Sequence, residues 1–144
     1  MRVLLFLMLV WLLAASCGEK IFTNGVDCAE CYWPEPDTGY FTVKITINDE
    51  FSKVPVVVYK GDIEDNEIFR IDTATTNPFY IDYVPVNAHY SIRAEYKRTN
   101  STLYAIDGAK IKTTLVSEAC DGGECYIIEN DGLNVEIKED YTDF

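Results

Sequence analysis

Tyr90-Ser91-Ile92-Arg93-Ala94-Glu95-Tyr96-Lys97 is the stretch on which the fold turns. Tyr90, Ile92, Ala94 and Tyr96 are apolar or aromatic, and the residues between them are polar or charged. Successive side chains of a strand point to opposite faces, so a period of two puts one set in a core and the other in water. A helix would scatter both sets around its circumference and bury neither. The stretch predicts a strand.

The same reading extends outward in both directions. Upstream, Phe41, Val43, Ile45 and Ile47 alternate with Thr42, Lys44, Thr46 and Asn48. Val54 to Tyr59 is a buried-type run closed by Lys60-Gly61-Asp62, and Pro55 suggests an edge or a strand start. Ile68 to Thr73 and Phe79 to Tyr83 are two more strands, divided by Thr75-Thr76-Asn77-Pro78. Downstream, a loop at Arg98-Thr99-Asn100 leads to Thr102 to Ile106. Asp107-Gly108 then reads as a hairpin turn into Ile111, Thr113 and Leu115. Tyr126-Ile127-Ile128, the turn Asn130-Asp131-Gly132, and Leu133, Val135 and Ile137 predict a last hairpin. No segment carries a helical stripe. About seven to eight short strands at close intervals predict an all-β fold, a single antiparallel β-sandwich of the immunoglobulin-like or transthyretin-like kind.

The chain start predicts an address. Arg2 is a short positive region, and Val3 to Ala15 is an unbroken apolar run. As a helix that run covers roughly 20 Å, short of the ~30 Å hydrocarbon core, so it reads as a signal peptide rather than a span. Leu13-Ala14-Ala15-Ser16-Cys17 resembles a bacterial lipobox, with Ala14 where leucine is commonest. The resemblance implies cleavage between Ser16 and Cys17, a diacylglycerol thioether on Cys17, and a palmitate-type chain on its new amino group. Several acyl chains hold a protein stably at a bilayer, whereas one does so only marginally. Gly18-Glu19 follows Cys17 without the aspartate that marks inner-membrane retention in some enteric bacteria, so the expected address is the outer membrane of the cell envelope. The expected division is 1–16 signal peptide, 17–39 lipidated tether with the first cysteine pair, and 40–144 sandwich.

Charge and cysteines bound the rest. The net charge is −12, and loss of Arg2 with the leader leaves 11 basic against 24 acidic side chains, or −13. Such an acidic chain argues against nucleic acid as a partner. With Cys17 assigned to lipid, Cys28, Cys31, Cys120 and Cys125 remain, and four cysteines allow three pairings in an exported chain. Bridges from the opening pair to the late pair are favoured, because the pairs flank the domain; local 28–31 and 120–125 bridges compete. A four-thiolate zinc site is disfavoured by an oxidising compartment. A thiol oxidoreductase would start a helix at Cys28, and Pro34 and Pro36 stop one just beyond Cys31.

The middle of the chain carries a further likeness. Val56-Val57-Val58-Tyr59-Lys60-Gly61, the threonine-rich turn, Phe79-Tyr80-Ile81, Val84-Pro85-Val86-Asn87 and Tyr90-Ser91-Ile92-Arg93-Ala94 together resemble the transthyretin-like or carboxypeptidase-regulatory-like sandwich over roughly residues 41 to 116. The whole chain is similar to small uncharacterised lipoproteins of gut-type Bacteroidetes, in its Cys-x-x-Cys-Tyr segment, its Tyr-x-Gly-Asp-x-Glu-Asp turn and its late cysteine pair. That family brings no established activity with it.

Candidate sites are few. Asp62, Glu64, Asp65, Asn66 and Glu67 cluster at a turn, where alternating oxygen ligands could bind Ca²⁺ but where a solvated acidic turn is the plainer reading. His89 is the only histidine, so any Ser-His-Asp chemistry would run through it. Ten tyrosines could supply a binding face, though strands commonly half-bury them. Asp72-Thr73-Ala74 resembles the Bacteroidetes O-glycosylation triplet, which would modify Thr73. The expectation is a non-enzymatic module without cofactor, anchored through Cys17 and binding an envelope protein or glycan. The alternative is a thiol-disulfide redox protein using Cys28 and Cys31.

Overall fold

The computed structural model describes residues 26–117, 119–120, 123–130 and 132–138. The expected leader, Cys17 and its tether to Gly25 lie outside the described residues, as do Asp131 of the last turn and residues 118, 121 and 122 of the late loop. Eight strands make the fold: β1 (Thr38–Ile45), β2 (Val54–Lys60), β3 (Ile68–Ala74), β4 (Phe79–Pro85), β5 (Ala88–Lys97), β6 (Thr102–Val116), β7 (Cys125–Asn130) and β8 (Leu133–Val135). Two short 3₁₀ turns, Cys28–Glu30 and Ile63–Asp65, lie among the described residues as well.

The strands form two packed sheets, one of three strands in the order β4-β1-β8 and one of five in the order β3-β2-β5-β6-β7. Their facing sides make the core. Phe41, Val43 and Ile45 of β1 meet Val54, Val56 and Val58 of β2 and Tyr90, Ile92, Ala94 and Tyr96 of β5, all fully buried. Every second residue of β5 is thus dry, as its alternation requires. Two tyrosines near the ends of β5 staple the sheets together. The Tyr90 hydroxyl donates to the Pro85 carbonyl at 3.0 Å, and the Tyr96 hydroxyl donates to Val135 O at 2.6 Å while accepting from Thr46 N at 3.1 Å. Burial raises the pKa of both phenols above the ordinary 10.0.

Two local readings change in the fold, and a third settles on one of its two options. Asp107-Gly108 is not a hairpin: β6 runs straight through it for 15 residues, pairing with β5 from Thr102 to Ile111 and with β7 from Ile111 to Val116. Gly108 serves close approach instead, since a Cβ there would stand 3.2 Å from two atoms of the His89 ring and 3.4 Å from Ser91 Oγ. β7 and β8 are not a hairpin either. Gly132, at φ +68, helps carry the chain from the five-stranded sheet to the three-stranded one, where β8 pairs parallel with β1 and buries Leu133 and Val135. All other strand pairings are antiparallel. Pro55 marks a strand start, because the β2–β5 ladder begins only at Val56 and asks no N–H of it.

The opening segment is held at one end of the sandwich by covalent bonds. Cys28 is bonded to Cys120 and Cys31 to Cys125, across sequence separations of 92 and 94. The backbones of Tyr32 and Tyr126 exchange two hydrogen bonds, and Trp33 stacks on Tyr126. Further along, Glu35 accepts from Thr113 and Asn87, and Asp37 O accepts from Val86 N. Among the described residues, the core and both disulfides lie within 26–138.

Candidate binding face on the five-stranded sheet

The outward side of the five-stranded sheet is less polar than alternation alone would make it. Register aligns Ile71 of β3, Val57 of β2, Arg93 of β5 and Ile106 of β6 in one row across four strands. Ile71 is 68% exposed and Ile106 59%. On one side of that row, Tyr104 pairs with Glu95 and is 56% exposed. On the other, Tyr59 pairs with Ser91 and, though it points outward, is only 2% exposed.

Arg93 lies between Tyr59 and Tyr104. Its guanidinium lies 5.8 Å from the Tyr59 ring centroid and 5.5 Å from that of Tyr104, a cation–π contact on both sides. None of the ion pairs among the described residues takes Arg93. An acidic protein therefore carries, mid-sheet and framed by isoleucine, a guanidinium not spent on a carboxylate. Arginine and aromatics are the residues enriched at protein interfaces, where lysine and acids are depleted.

The row runs into a shallow cleft of about 400 Å³. Gly108 and Ser91 floor it, Ile106 borders it, and the 3₁₀ turn supplies Asp62, Ile63 and Glu64 as its rim. His89 Nε2 stands 3.3 Å from Asp62 Oδ1. The Ser91 hydroxyl donates to the Gly61 carbonyl at 2.8 Å, so it is not poised on the imidazole as a serine nucleophile would be. What the cleft offers is a small apolar wall beside an imidazole and two carboxylates, fit for hydrogen-bonding a ligand edge.

The other residues singled out by sequence fall elsewhere. Asp62 and Glu64 reach the cleft rim, but among the described residues no three His, Cys, Asp or Glu side chains gather as a metal site would need. Thr73 stands exposed on β3. Tyr59, Tyr90 and Tyr96 are buried and Tyr104 is exposed on the outward row, while Tyr32, Tyr40 and Tyr80, all exposed, lie near one another where β1 and β4 meet the disulfide end. Cys28 and Cys31 belong to different bridges. Sequence reasoning missed Arg93, Ile71 and Ile106 as a group, because nothing local says that β3, β2, β5 and β6 are neighbours. No family model matches the chain, and neither does any curated protein or any solved structure.

Proposed function

We propose that this is a lipid-anchored, non-catalytic binding module of the bacterial envelope, tethered through acylated Cys17 and binding a protein or glycan on the outward face of its five-stranded sheet. The observation that carries the binding reading is the row Ile71–Val57–Arg93–Ile106 with the Tyr59–Arg93–Tyr104 stack beside it. Contiguous exposed apolar surface on a small soluble domain marks an interaction site, whereas isolated exposed residues do not. The anchoring reading rests on the lipobox-like Leu13 to Cys17, and the outer membrane on the residues that follow it. The transthyretin-like comparison remains our reading of the sandwich, supported by the valine strand β2 lying beside the tyrosine strand β5. Thr73 is accessible to the O-glycosylation that its triplet resembles.

The redox alternative draws no support from the cysteines. A Cys-x-x-Cys couple works by cycling one bridge between its two thiols, and here each cysteine is bonded to a distant partner. Two experiments test the proposal. Cys17→Ala should release the protein from the membrane or leave it unprocessed; normal retention with the same processed mass would contradict the anchor. Ile106→Ser and Tyr104→Ala should abolish capture of an envelope component without loss of fold.

A further inference from the structure

The edges of the two sheets are not treated alike. β7 is covered by Tyr32, whose backbone bonds to Tyr126, and by the Cys31–Cys125 bridge. β4 ends in Pro85, holds Tyr83 at φ 58, and sits opposite a register shift between Gly39 and Tyr40. β8 is three residues long, and its Asn134 N–H donates to Asp107 Oδ2 across the gap to β6. Prolines, irregular backbone, short strands and covering segments are the means by which sheet edges avoid pairing with other chains. β3 has seven residues and no proline, lysine or glycine; its ladder with β2 slips once, between Val58 and Tyr59, and runs regularly from Arg70 to Ala74.

Its backbone faces outward in a definite register. Thr73 lies opposite Pro55, which has no N–H to exchange, and the Thr73 N–H is taken by the Asp72 carboxylate at 2.8 Å. Ile71, by alternation, turns its N–H and C=O to the open edge, and Thr73 its C=O. The side chains are self-complementary about Ile71. In an antiparallel pairing centred there, Ile71 meets Ile71 of a second copy, Arg70 meets Asp72 of the second copy, and Asp72 meets its Arg70. None of the ion pairs among the described residues uses Arg70 or Asp72, whose present partners are backbone groups: Arg70 Nη1 donates to Asp82 O at 3.4 Å and Asp72 Oδ1 accepts from Thr73 N. The exposed Ile71 pair would be covered on the outward face, and two opposite-charge pairs would close on the other.

We propose that β3 is a homodimerisation edge, joining two copies of this chain antiparallel with Ile71 on the two-fold axis. Such an interface is isologous and closes on itself, so it yields a dimer rather than a fibre. It places the two Ile71–Ile106 rows side by side on one continuous face. The inference stands apart from the binding reading, because it depends on β3 alone.

The test uses the oxidised chain from Gly18 to Phe144, made in a host that does not glycosylate Thr73. Ile71→Cys should form a disulfide-linked dimer in air, seen on a non-reducing gel, while Ile106→Cys at a comparably exposed site off the axis should not. In sedimentation velocity the wild type should be a dimer at high concentration. Arg70→Asp and Asp72→Arg should each weaken it by at least about tenfold, since each turns two attractive pairs into repulsive ones. The double exchange R70D/D72R should restore it. A wild type that stays monomeric up to its solubility limit would overturn the proposal. So would Ile71→Cys linking no faster than Ile106→Cys, or a double exchange that fails to rescue.

Discussion

The two faces of β5 differ in what they carry. Inward, Tyr90, Ile92, Ala94 and Tyr96 are fully buried, and each either fills the core or ties the two sheets by a hydroxyl. Outward, His89, Ser91, Arg93 and Glu95 carry a cleft, a cation held between two rings, and part of an apolar row that no other part of the described chain covers. On the proposed reading, one strand thus separates stability from recognition by nothing more than the parity of its residues. The lesson is that the inward set should be intolerant of change and functionally silent, and the outward set the reverse.

Cutting the covalent clamp asks whether that division belongs to the sheet or to its disulfide end. Closing a loop of about 90 residues removes roughly 4–5 kcal/mol of chain entropy from the unfolded state, and the second bridge adds less because the first has already shortened its loop. This is a large share of the ~5–15 kcal/mol that holds a domain. Reduction should lower the melting temperature by many degrees while the circular dichroism of β structure at low temperature survives, and capture through the outward face with it. Loss of the β signal on reduction would mean the two sheets depend on the clamp.

Next in size is Ile92→Ala, which empties the middle of the inward set. The expected cost is about 2–5 kcal/mol in chemical denaturation, with ligand capture by the folded fraction unchanged. A cost under about 1 kcal/mol would show that the core had collapsed around the gap.

Tyr96 sharpens the inward side further. Tyr96→Phe leaves Val135 O and Thr46 N without their partner, at a cost of about 1–3 kcal/mol. Its pH dependence has a fixed sign. Burial raises the folded-state pKa above 10.0, so the phenol's contribution is intact below that value. It is lost as pH rises from 10.0 through the folded pKa, because the unfolded chain releases its proton first. Urea titrations at rising pH should therefore show stability falling above about pH 10, less steeply in Tyr96→Phe. Equal slopes would assign the alkaline loss to other groups.

How much of this was legible without coordinates follows from the same parity. Period-two alternation in Tyr90–Lys97 and Phe41–Ile47 fixes which side of each strand is dry, and the sandwich follows from enough such strands. The joins were harder. Asp107-Gly108 has the composition of a hairpin turn, yet Gly108 is small because His89 and Ser91 of the neighbouring strand β5 crowd it, a contact set by the β5–β6 register. β8 looked like the return arm of a hairpin, and only the demand that Leu133 and Val135 be buried beside β1 sends it to the other sheet. Ile71 and Ile106 read as core in one dimension, because apolar residues carry no mark of which sheet will be left uncovered. The candidate face is made of neighbours on four strands, and neighbourhood is a property of topology.

The smallest expected effect on stability carries the largest on function. Ile106→Ser, on the outward row, should shift unfolding by no more than about 0.5 kcal/mol. The decisive measurement compares it with Tyr80→Ala on the opposite, three-stranded sheet. Both variants and the wild type, oxidised and matched by melting curve, are used to capture components of solubilised outer membranes. The account predicts that whatever the wild type retains is kept by Tyr80→Ala and lost by Ile106→Ser. Retention that survives Ile106→Ser and disappears with Tyr80→Ala would contradict it.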